Sequence, residues 1–368
     1  MNKKVRHVLG ISGGKDSAAL AIYLHQKYPN LDIEYYTCDT GKELEETYAL
    51  IERLEGYLGK KISLLKAADQ STQDPFDHFY NVYGGYLPSS NARWCTKKLK
   101  LEPFEAFVGD DFVVSYVGIR GDEDREGYIS RKQNIQSIFP FRKNIWSEDV
   151  ILKALKNENI SKLKEIYSSK CANQNIDRII EVVEQPVSLK LTIPNKLNLL
   201  LDLGTKEFNH VIFEFLKTSF YPLSLESSFA LLDNEDVLVR DDIFDLLRNS
   251  GVGVPAYYEK IEFDVNGQKG EYARSRSGCY FCFFQQKIEW IWLYEQHPVK
   301  FQQAMEYENE KEGFTWNQNE SLKELILPER IEAIKTEYLN RNQPKAKSPY
   351  LLDILEDDEE EGCAACFI

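Results

Sequence analysis

The sequence lacks any apolar run long enough to span a membrane, and it has no excess of basic residues. A membrane-spanning helix needs about 20 mostly apolar residues, so we expect no membrane contact. The chain starts with Met1-Asn2-Lys3-Lys4 and leads directly into a predicted strand, without the apolar segment of a signal peptide. The formal net charge of −14 argues against a uniformly basic nucleic-acid-binding protein. We therefore expect a cytoplasmic protein.

Much of the negative charge lies near the end of the chain, between Asp353 and Glu361. Without the seven acidic residues of that run the net charge is about −7, which leaves room for a local basic patch. The chain of 368 residues, 43% hydrophobic and 12% aromatic, has the composition of a soluble globular protein with one large or two medium domains. Its seven cysteines favour metal or redox chemistry over structural disulfides in a cytosolic protein.

A glycine turn joins an apolar strand to a helical pattern near the start of the chain. The string Ser12-Gly13-Gly14-Lys15-Asp16-Ser17 follows Val8 to Ile11. The two glycines allow several backbone N–H groups to converge, and the helix dipole, Lys15 and the two serines add positive charge and donors. The string is not a Walker sequence, because the glycines are adjacent and the lysine lies in the middle of the loop. It predicts a site for a phosphate chain, with an ordinary strand-to-helix turn as the alternative.

Strand and helix patterns alternate over the first part of the chain. Strands are predicted at Asp32 to Cys38, Ile62 to Lys66 and Asp111 to Ile119, with a helix from about Glu43 to Leu58. This alternation predicts an α/β fold with a doubly wound parallel sheet, whose ligands bind at the carboxyl ends of the strands. The turn Asp39-Thr40-Gly41 falls at such an end, as does the glycine-rich loop.

Four segments together resemble a known family. The string from Ser12 to Ser17 resembles the pyrophosphate loop of the PP-loop ATP pyrophosphatase superfamily, whose members cleave ATP between the α and β phosphates. The turn Asp39-Thr40-Gly41 followed by Glu46-Thr47-Tyr48 resembles the second motif of the phosphoadenosine phosphosulfate (PAPS) reductase branch. Arg93 to Lys100 is similar to its cysteine-bearing segment, and Gly118 to Glu123 to its arginine–glutamate loop.

This resemblance implies an adenine nucleotide alpha hydrolase-like fold and an ATP site with magnesium. The implied nucleotide-binding residues are Ser12, Gly13, Gly14, Lys15, Asp16, Ser17, Asp39, Thr40 and Gly41. The implied catalytic residues are Lys15, Asp16 and Arg120, with the arginine binding a phosphate or sulfate group. The alternatives are an Asx-type turn at Asp39 and a solvated charge cluster around Arg120.

The resemblance occurs in two blocks, and we predict four regions from it. Residues 1–150 are expected to form the PP-loop core, 151–240 a helical insertion, and 241–342 the second block of the family region. Residues 343–368 have the composition of a flexible acidic tail, which ends in Cys363-Ala364-Ala365-Cys366-Phe367-Ile368. For this tail we consider a sulfur-handling role through the cysteines, docking to a partner through the apolar terminus, or no role.

The pair Cys279-Tyr280-Phe281-Cys282 has the spacing of two ligands to one metal or cluster. Cys95 is the best third ligand. Related sulfurtransferases imply a four-iron cluster held by three cysteines, with one iron open to sulfide. The paired cysteines of adenylyl-sulfate reductases are replaced by Cys95-Thr96, and the Glu-Cys-Gly-Leu-His segment of PAPS reductases is absent. Zinc is the alternative, with a fourth ligand from Cys38, Cys171 or the tail.

We therefore predict an ATP-dependent sulfurtransferase that adenylates an acceptor and then inserts sulfur. The acceptor is a DNA backbone phosphate or a tRNA base, and resemblance to DNA-phosphorothioation and phage-defence members favours DNA. The expected partners are a sulfur donor such as a cysteine desulfurase, and DNA or a protein of a defence or modification complex. The alternatives are a reductase acting on phosphoadenylyl or adenylyl sulfate, and a nucleotide-gated subunit of a defence complex without sulfur chemistry.

Overall fold

The computed structural model describes residues 4–124, 130, 132–170, 174–309, 311–317 and 320–342. Its main feature is a parallel sheet of five strands. The strands are β1 (Arg6–Gly10), β2 (Ile33–Asp39), β3 (Ile62–Lys66), β4 (Val113–Tyr116) and β5 (Ile135–Ile138). They are ordered β3-β2-β1-β4-β5, so the connections run to opposite sides of β1. The predicted α/β class is confirmed, and β5 is a strand that sequence reasoning did not identify.

Helices cover both faces of this sheet, which is why neighbouring residues of β1 enter different cores. Leu9 packs in one core with α1 and α2, whereas Val8 packs in another with Phe104 and Val108 of α5. The helices in this part are α1 (Lys15–Lys27), α2 (Glu45–Leu58), α3 (Pro75–Val82), α4 (Trp94–Thr96) and α5 (Glu102–Val108), with a π-helical turn at Lys97–Leu101. The order of strands reverses at β1, and ligands of such sheets bind at that crevice.

Six helices follow the sheet. They are α6 (Glu148–Ala154), α7 (Ile160–Lys170), α8 (Ile176–Glu184), α9 (Ile193–Leu203), α10 (Thr205–Leu216) and α11 (Arg240–Ser250). Their apolar stripes share one continuous core with α1 and the inner face of the sheet, as Val183, Leu200 and Phe213 show. The helices of the predicted insertion therefore pack directly on the layer formed by α1 and the sheet.

The last described part combines a hairpin with helices around a second, aromatic core. The hairpin is β6 (Ile261–Val265) and β7 (Gln268–Tyr272), and the helices are α12 (Lys287–Gln296), α13 (Pro298–Glu306), α14 (Leu322–Leu325) and α15 (Pro328–Asn342). The core joins Phe76 and Trp94 of the first half to Phe281 and Trp290. Within the described ranges, no helix has both the length and the apolar character needed to cross a membrane.

Candidate active site

Three loops that follow neighbouring strands meet at the carboxyl edge of the sheet. The loop 12–17 follows β1, the turn 39–41 follows β2, and the segment 118–123 follows β4. A methyl group on Gly118 would lie 2.9 Å from the carbonyl oxygen of Asp16, so the third loop packs directly on the first. A small cavity lined by Ser12, Asp39 and Glu43 lies between the first and second loops.

The loop 12–17 is held in shape by its own hydroxyl groups. The backbone N–H of Ser12 donates to Ser17 Oγ over 3.1 Å, and Ser17 Oγ donates to the carbonyl of Gly14 over 3.3 Å. Gly13 has φ +73°, a conformation that residues other than glycine rarely adopt. A methyl group on Gly14 would lie 2.4 Å from Ser277 Oγ, so a segment of the second block covers the loop.

Asp16 lies between the two cations of the site. Its carboxylate oxygens are 3.2 Å from Lys15 Nζ and 2.8 Å from Arg120 Nη1. Lys15 and Asp16 are buried, and burial lowers the pKa of Lys15 from its ordinary value. Arg120 also contacts Asp122 at 2.9 Å and Glu123 at 2.6 Å. The three residues predicted as catalytic are therefore brought into one network, in which Lys15 and Arg120 are the groups able to bind an anion.

Two consecutive tyrosines of the second block form hydrogen bonds with the loop 12–17. Tyr257 donates from its hydroxyl to the carbonyl of Gly13 over 2.8 Å. The Tyr258 hydroxyl accepts from the Lys15 backbone N–H over 3.4 Å, and Lys15 Nζ lies 4.9 Å from the centre of the Tyr258 ring. The loop amides and the lysine side chain are thus positioned by residues more than 240 positions away.

The turn after β2 is organised by two carboxylates. Asp39 Oδ1 accepts from the Gly41 backbone N–H and from the Tyr48 hydroxyl, each over 2.9 Å. Thr40 Oγ1 donates to Glu43 Oε1 over 2.7 Å. Glu43 is buried, and burial raises the pKa of its carboxyl group. Sequence reasoning did not assign a role to Glu43.

The Cys-x-x-Cys segment is attached to this turn. Cys279 Sγ lies 3.2 Å from Thr40 Oγ1, and the backbone N–H of Tyr280 donates to the carbonyl of Lys42 over 2.7 Å. Burial and then the charge of Cys282 raise the pKa of Cys95 to about 12, which places these two thiols in the same environment. Burial also raises the pKa values of Cys279 and Cys282. Cys279 therefore adjoins the turn after β2, and Cys95 lies close enough to Cys282 for their charges to interact.

The metal prediction receives no support from this arrangement. No group of three or more His, Cys, Asp or Glu side chains in the described ranges is placed to hold a metal ion. An iron–sulfur or zinc site at Cys95, Cys279 and Cys282 therefore stays a prediction. Cys38 is a half-buried thiol whose pKa burial raises to about 12, and Cys171, Cys363 and Cys366 lie outside the described residues.

Comparison with known proteins assigns the sheet region. Residues 6–171 match the phosphoadenosine phosphosulfate reductase domain. An uncharacterised protein of Methanocaldococcus jannaschii is 34% identical over 145 residues, which are 36% of this chain and 28% of that protein. The tRNA-specific 2-thiouridylases MnmA of Actinobacillus pleuropneumoniae and Aeromonas salmonicida are 24% and 23% identical, over 38% of this chain and 43% and 45% of their own lengths.

These similarities support the PP-loop ATP pyrophosphatase superfamily for the sheet region. The chain covers less than half of each of these relatives. The domain match ends at residue 171, so the second block from Asp241 onward stays a prediction. In the structure that block supplies Ser277, the two tyrosines that contact the loop 12–17 and the Cys-x-x-Cys segment.

Arg274 is a further charged residue of this site that sequence reasoning missed. It is only 2% exposed, and its Nη2 donates to the carbonyl of Cys279 over 3.0 Å. Its Nε and Nη1 have no hydrogen-bond partner among the described residues. The rings of Tyr257 and Trp292 lie 5.8 and 6.0 Å from the guanidinium carbon. Arg274 is therefore a buried cation between Tyr257, which contacts the loop 12–17, and the carbonyl of Cys279.

Proposed function

We propose that this protein is an ATP-dependent sulfurtransferase that adenylates a DNA backbone phosphate and replaces one of its oxygens with sulfur. The observation that carries the proposal is that the nucleotide turn and the thiols share one site, since Thr40 Oγ1 lies 3.2 Å from Cys279 Sγ. Similarity to the PAPS reductase domain and to thiouridylases supports sulfur chemistry that uses ATP.

In the first step an oxygen of the acceptor attacks the α-phosphorus of ATP. The bond from that phosphorus to the oxygen bridging the α and β phosphates breaks, and pyrophosphate leaves. Lys15 and the loop amides stabilise the charge on the leaving pyrophosphate, and Arg120 binds a phosphate oxygen. Asp16 keeps both cations in place through its contacts of 3.2 and 2.8 Å. Magnesium would bind mainly on the ATP phosphates and neutralise their charge, with Asp16 as the loop carboxylate available to it.

In the second step a sulfur nucleophile displaces AMP. A hydrosulfide ion attacks the activated phosphorus, AMP leaves with the former acceptor oxygen, and the proton passes to solvent. If the sulfur arrives as a persulfide on one thiol, a second thiol attacks the carrier sulfur after transfer. The resulting disulfide is then reduced by an external dithiol. Cys95, Cys279 and Cys282 provide the thiols for this route, and no step passes through a metal.

A tRNA base is the second candidate acceptor. The relatives named tRNA-specific 2-thiouridylases favour it, because they match the same region of the chain that contains the PP-loop. The first step would be the same, with a base carbonyl oxygen as the attacking group. Sulfur would then replace that oxygen as AMP leaves.

The test uses full-length protein purified without oxygen, ATP labelled at the α-phosphate, cysteine and a cysteine desulfurase. Plasmid DNA and bulk tRNA are supplied separately, then digested and analysed for sulfur by mass spectrometry, with Lys15→Ala as the inactive control. Phosphorothioate in DNA supports the proposal, and thiolated tRNA supports the second candidate. Nucleotide binding without AMP formation in either arm refutes both and favours a nucleotide-gated subunit. Sulfite release from an adenylated sulfate would instead identify a reductase.

A further inference from the structure

Phe284 lies between two arginines next to the thiols. The guanidinium carbons of Arg93 and Arg276 are 4.9 and 5.8 Å from the centre of the Phe284 ring. The ring of Phe283 packs against the same ring, with 4.3 Å between their centres. Arg93 is exposed, and Phe284 and Arg276 are half-buried, so the group lies at the protein surface. We name Arg93, Phe284 and Arg276 the arginine–phenylalanine rim.

The rim is attached to the thiols by the chain itself. Arg93 is two residues before Cys95, and Phe284 is two residues after Cys282. Burial raises the pKa of Cys282, and the charge of Arg276 opposes this shift, so Arg276 lies close to that thiol. A molecule bound at the rim therefore lies beside the sulfur residues.

Charge at the rim is opposite to the charge of the whole protein. The chain carries a net charge of −14, so most of its surface repels a polyanion. The cations that act on Cys282 are Arg276, Lys100 and Arg274, and Arg93 adds a fourth positive group nearby. The rim therefore lies in a locally cationic part of the protein, and an arginine guanidinium is well suited to binding a phosphate group.

We propose that the rim binds single-stranded nucleic acid, with one base stacked on Phe284 and the flanking phosphates bound by Arg93 and Arg276. This inference rests on the proposed function, whose acceptor is a nucleic acid, and it names the surface that receives that acceptor. Stacking on a protein aromatic ring requires a base that has left its neighbours, which a single strand permits and a duplex resists. Arginines beside an aromatic ring are the recurring components of such surfaces.

The experiment measures the affinity of the full chain for fluorescein-labelled oligonucleotides by fluorescence anisotropy over a range of salt concentrations. Single-stranded DNA, single-stranded RNA and duplex DNA of about 20 nucleotides are compared, a length above the roughly 4–16 nucleotides that one such surface covers. Phe284→Leu keeps apolar bulk but removes the aromatic face, and we expect about 5-fold weaker binding or more. Arg276→Gln should reduce the slope of log affinity against log salt by about 0.7, the value for one single-strand phosphate contact.

Arg178→Gln is the matched control, because Arg178 is an exposed arginine far from the rim in the chain. It lies on α8, whose apolar face packs in the core that does not contain the thiols. Circular dichroism and thermal melting of every variant separate lost binding from lost folding. Single-strand binding that is weakened by the rim variants and not by Arg178→Gln supports the rim, and a preference for DNA or RNA identifies the source of the strand. Equal weakening by the control, wild-type affinity in both rim variants, or tighter binding of the duplex overturns it.

The oligonucleotide-binding assay contains neither ATP nor a sulfur donor, so its result does not depend on whether the protein transfers sulfur. The rim and the proposed function can therefore be contradicted independently. A protein that binds oligonucleotides through the rim but transfers no sulfur contradicts the proposed function alone. A protein that transfers sulfur to nucleic acid with unchanged affinity in Phe284→Leu and Arg276→Gln contradicts the rim alone.

Discussion

The hydroxyl oxygen of Thr40 lies 3.2 Å from the sulfur of Cys279, although the two residues are 239 positions apart in the chain. The same hydroxyl donates to Glu43 over 2.7 Å, so its oxygen can accept a hydrogen bond from the Cys279 thiol. Thr40 belongs to the turn after β2, which the family resemblance places beside the nucleoside. The contact therefore links the nucleotide side of the site to its sulfur side.

Replacing Thr40 with valine tests this link, because valine keeps the shape and removes the hydroxyl. We expect the amount of sulfur transferred per AMP formed to fall about 5-fold, since a hydrogen bond between neutral groups contributes about 0.5–1.5 kcal/mol. The measurement compares labelled AMP with sulfur in the acceptor. Thr205→Val is the control, because Thr205 is also buried and its hydroxyl donates to a backbone carbonyl in the helical region. An unchanged ratio in Thr40→Val would show that the contact has no part in transfer.

The contacts of Asp16 give a second prediction. Lys15→Ala removes the cation of the loop, and Asp16→Asn leaves Lys15 and Arg120 without their shared counter-charge. We expect each change to reduce pyrophosphate release by at least about 100-fold, the usual loss when a group stabilising developing charge is removed. A coupled pyrophosphate assay measures this, with thermal melting to confirm folding. Lys60→Ala, which breaks a surface pair with Asp32, is the control. Release at the wild-type rate in Lys15→Ala would refute the assigned role.

Local patterns were sufficient to predict the loop and the turn after β2. Both follow parallel strands, and carboxyl ends of such strands must meet at one edge of the sheet. The hairpin of β6 and β7 was missed although Asn266-Gly267, with φ of +54° and +75°, is a strong turn signal. The strand β5 has four residues and no alternating pattern that would separate it from a loop.

Residues whose roles depend on distant contacts could not be predicted. Glu43 stands in the charged run Lys42-Glu43-Leu44-Glu45-Glu46, which has the pattern of an exposed helix start. It is buried because the Cys279 segment covers the turn, with a bridge between Glu43 and Cys279. The contacts of Tyr257 and Tyr258 with the loop likewise arise only when the second block folds onto the first.

The charge of Glu43 gives a third prediction, on thiol reactivity. Burial and then the charge of Glu43 raise the pKa of Cys279, so Glu43→Gln should lower it. A lower pKa means more thiolate at a given pH, and we expect faster alkylation of Cys279 by iodoacetamide at about pH 9. Mass spectrometry of chelator-treated protein measures each thiol separately. Cys95 is the internal control, because burial and Cys282, not Glu43, are the main causes of its raised pKa. Unchanged alkylation of Cys279 would contradict the prediction.

The last prediction concerns Arg274, a buried cation that contacts the carbonyl of Cys279. Its Nε and Nη1 have no partner among the described residues, its Nη2 donates to the carbonyl of Cys279, and the rings of Tyr257 and Trp292 lie near its charge. Burying an uncompensated charge costs several kcal/mol. We therefore expect Arg274→Met to leave the free energy of unfolding unchanged or to raise it by about 1 kcal/mol, as measured by urea unfolding without ligands. Sulfur transfer should fall in the same variant, because Arg274 is one of the cations that favour the Cys282 thiolate.

Arg330→Met is the matched control for this change. Arg330 Nε donates a hydrogen bond to the carboxylate of Glu320. Loss of this ion pair should lower the free energy of unfolding by about 0.5–1 kcal/mol. If the free energy of unfolding rises in Arg274→Met and falls in Arg330→Met, Arg274 serves the chemistry of the site at a cost in stability. Such a cost is common for charged groups in active sites. A loss of stability in Arg274→Met larger than in Arg330→Met would instead mean that the guanidinium is a structural support for the Cys279 carbonyl, which it contacts at 3.0 Å.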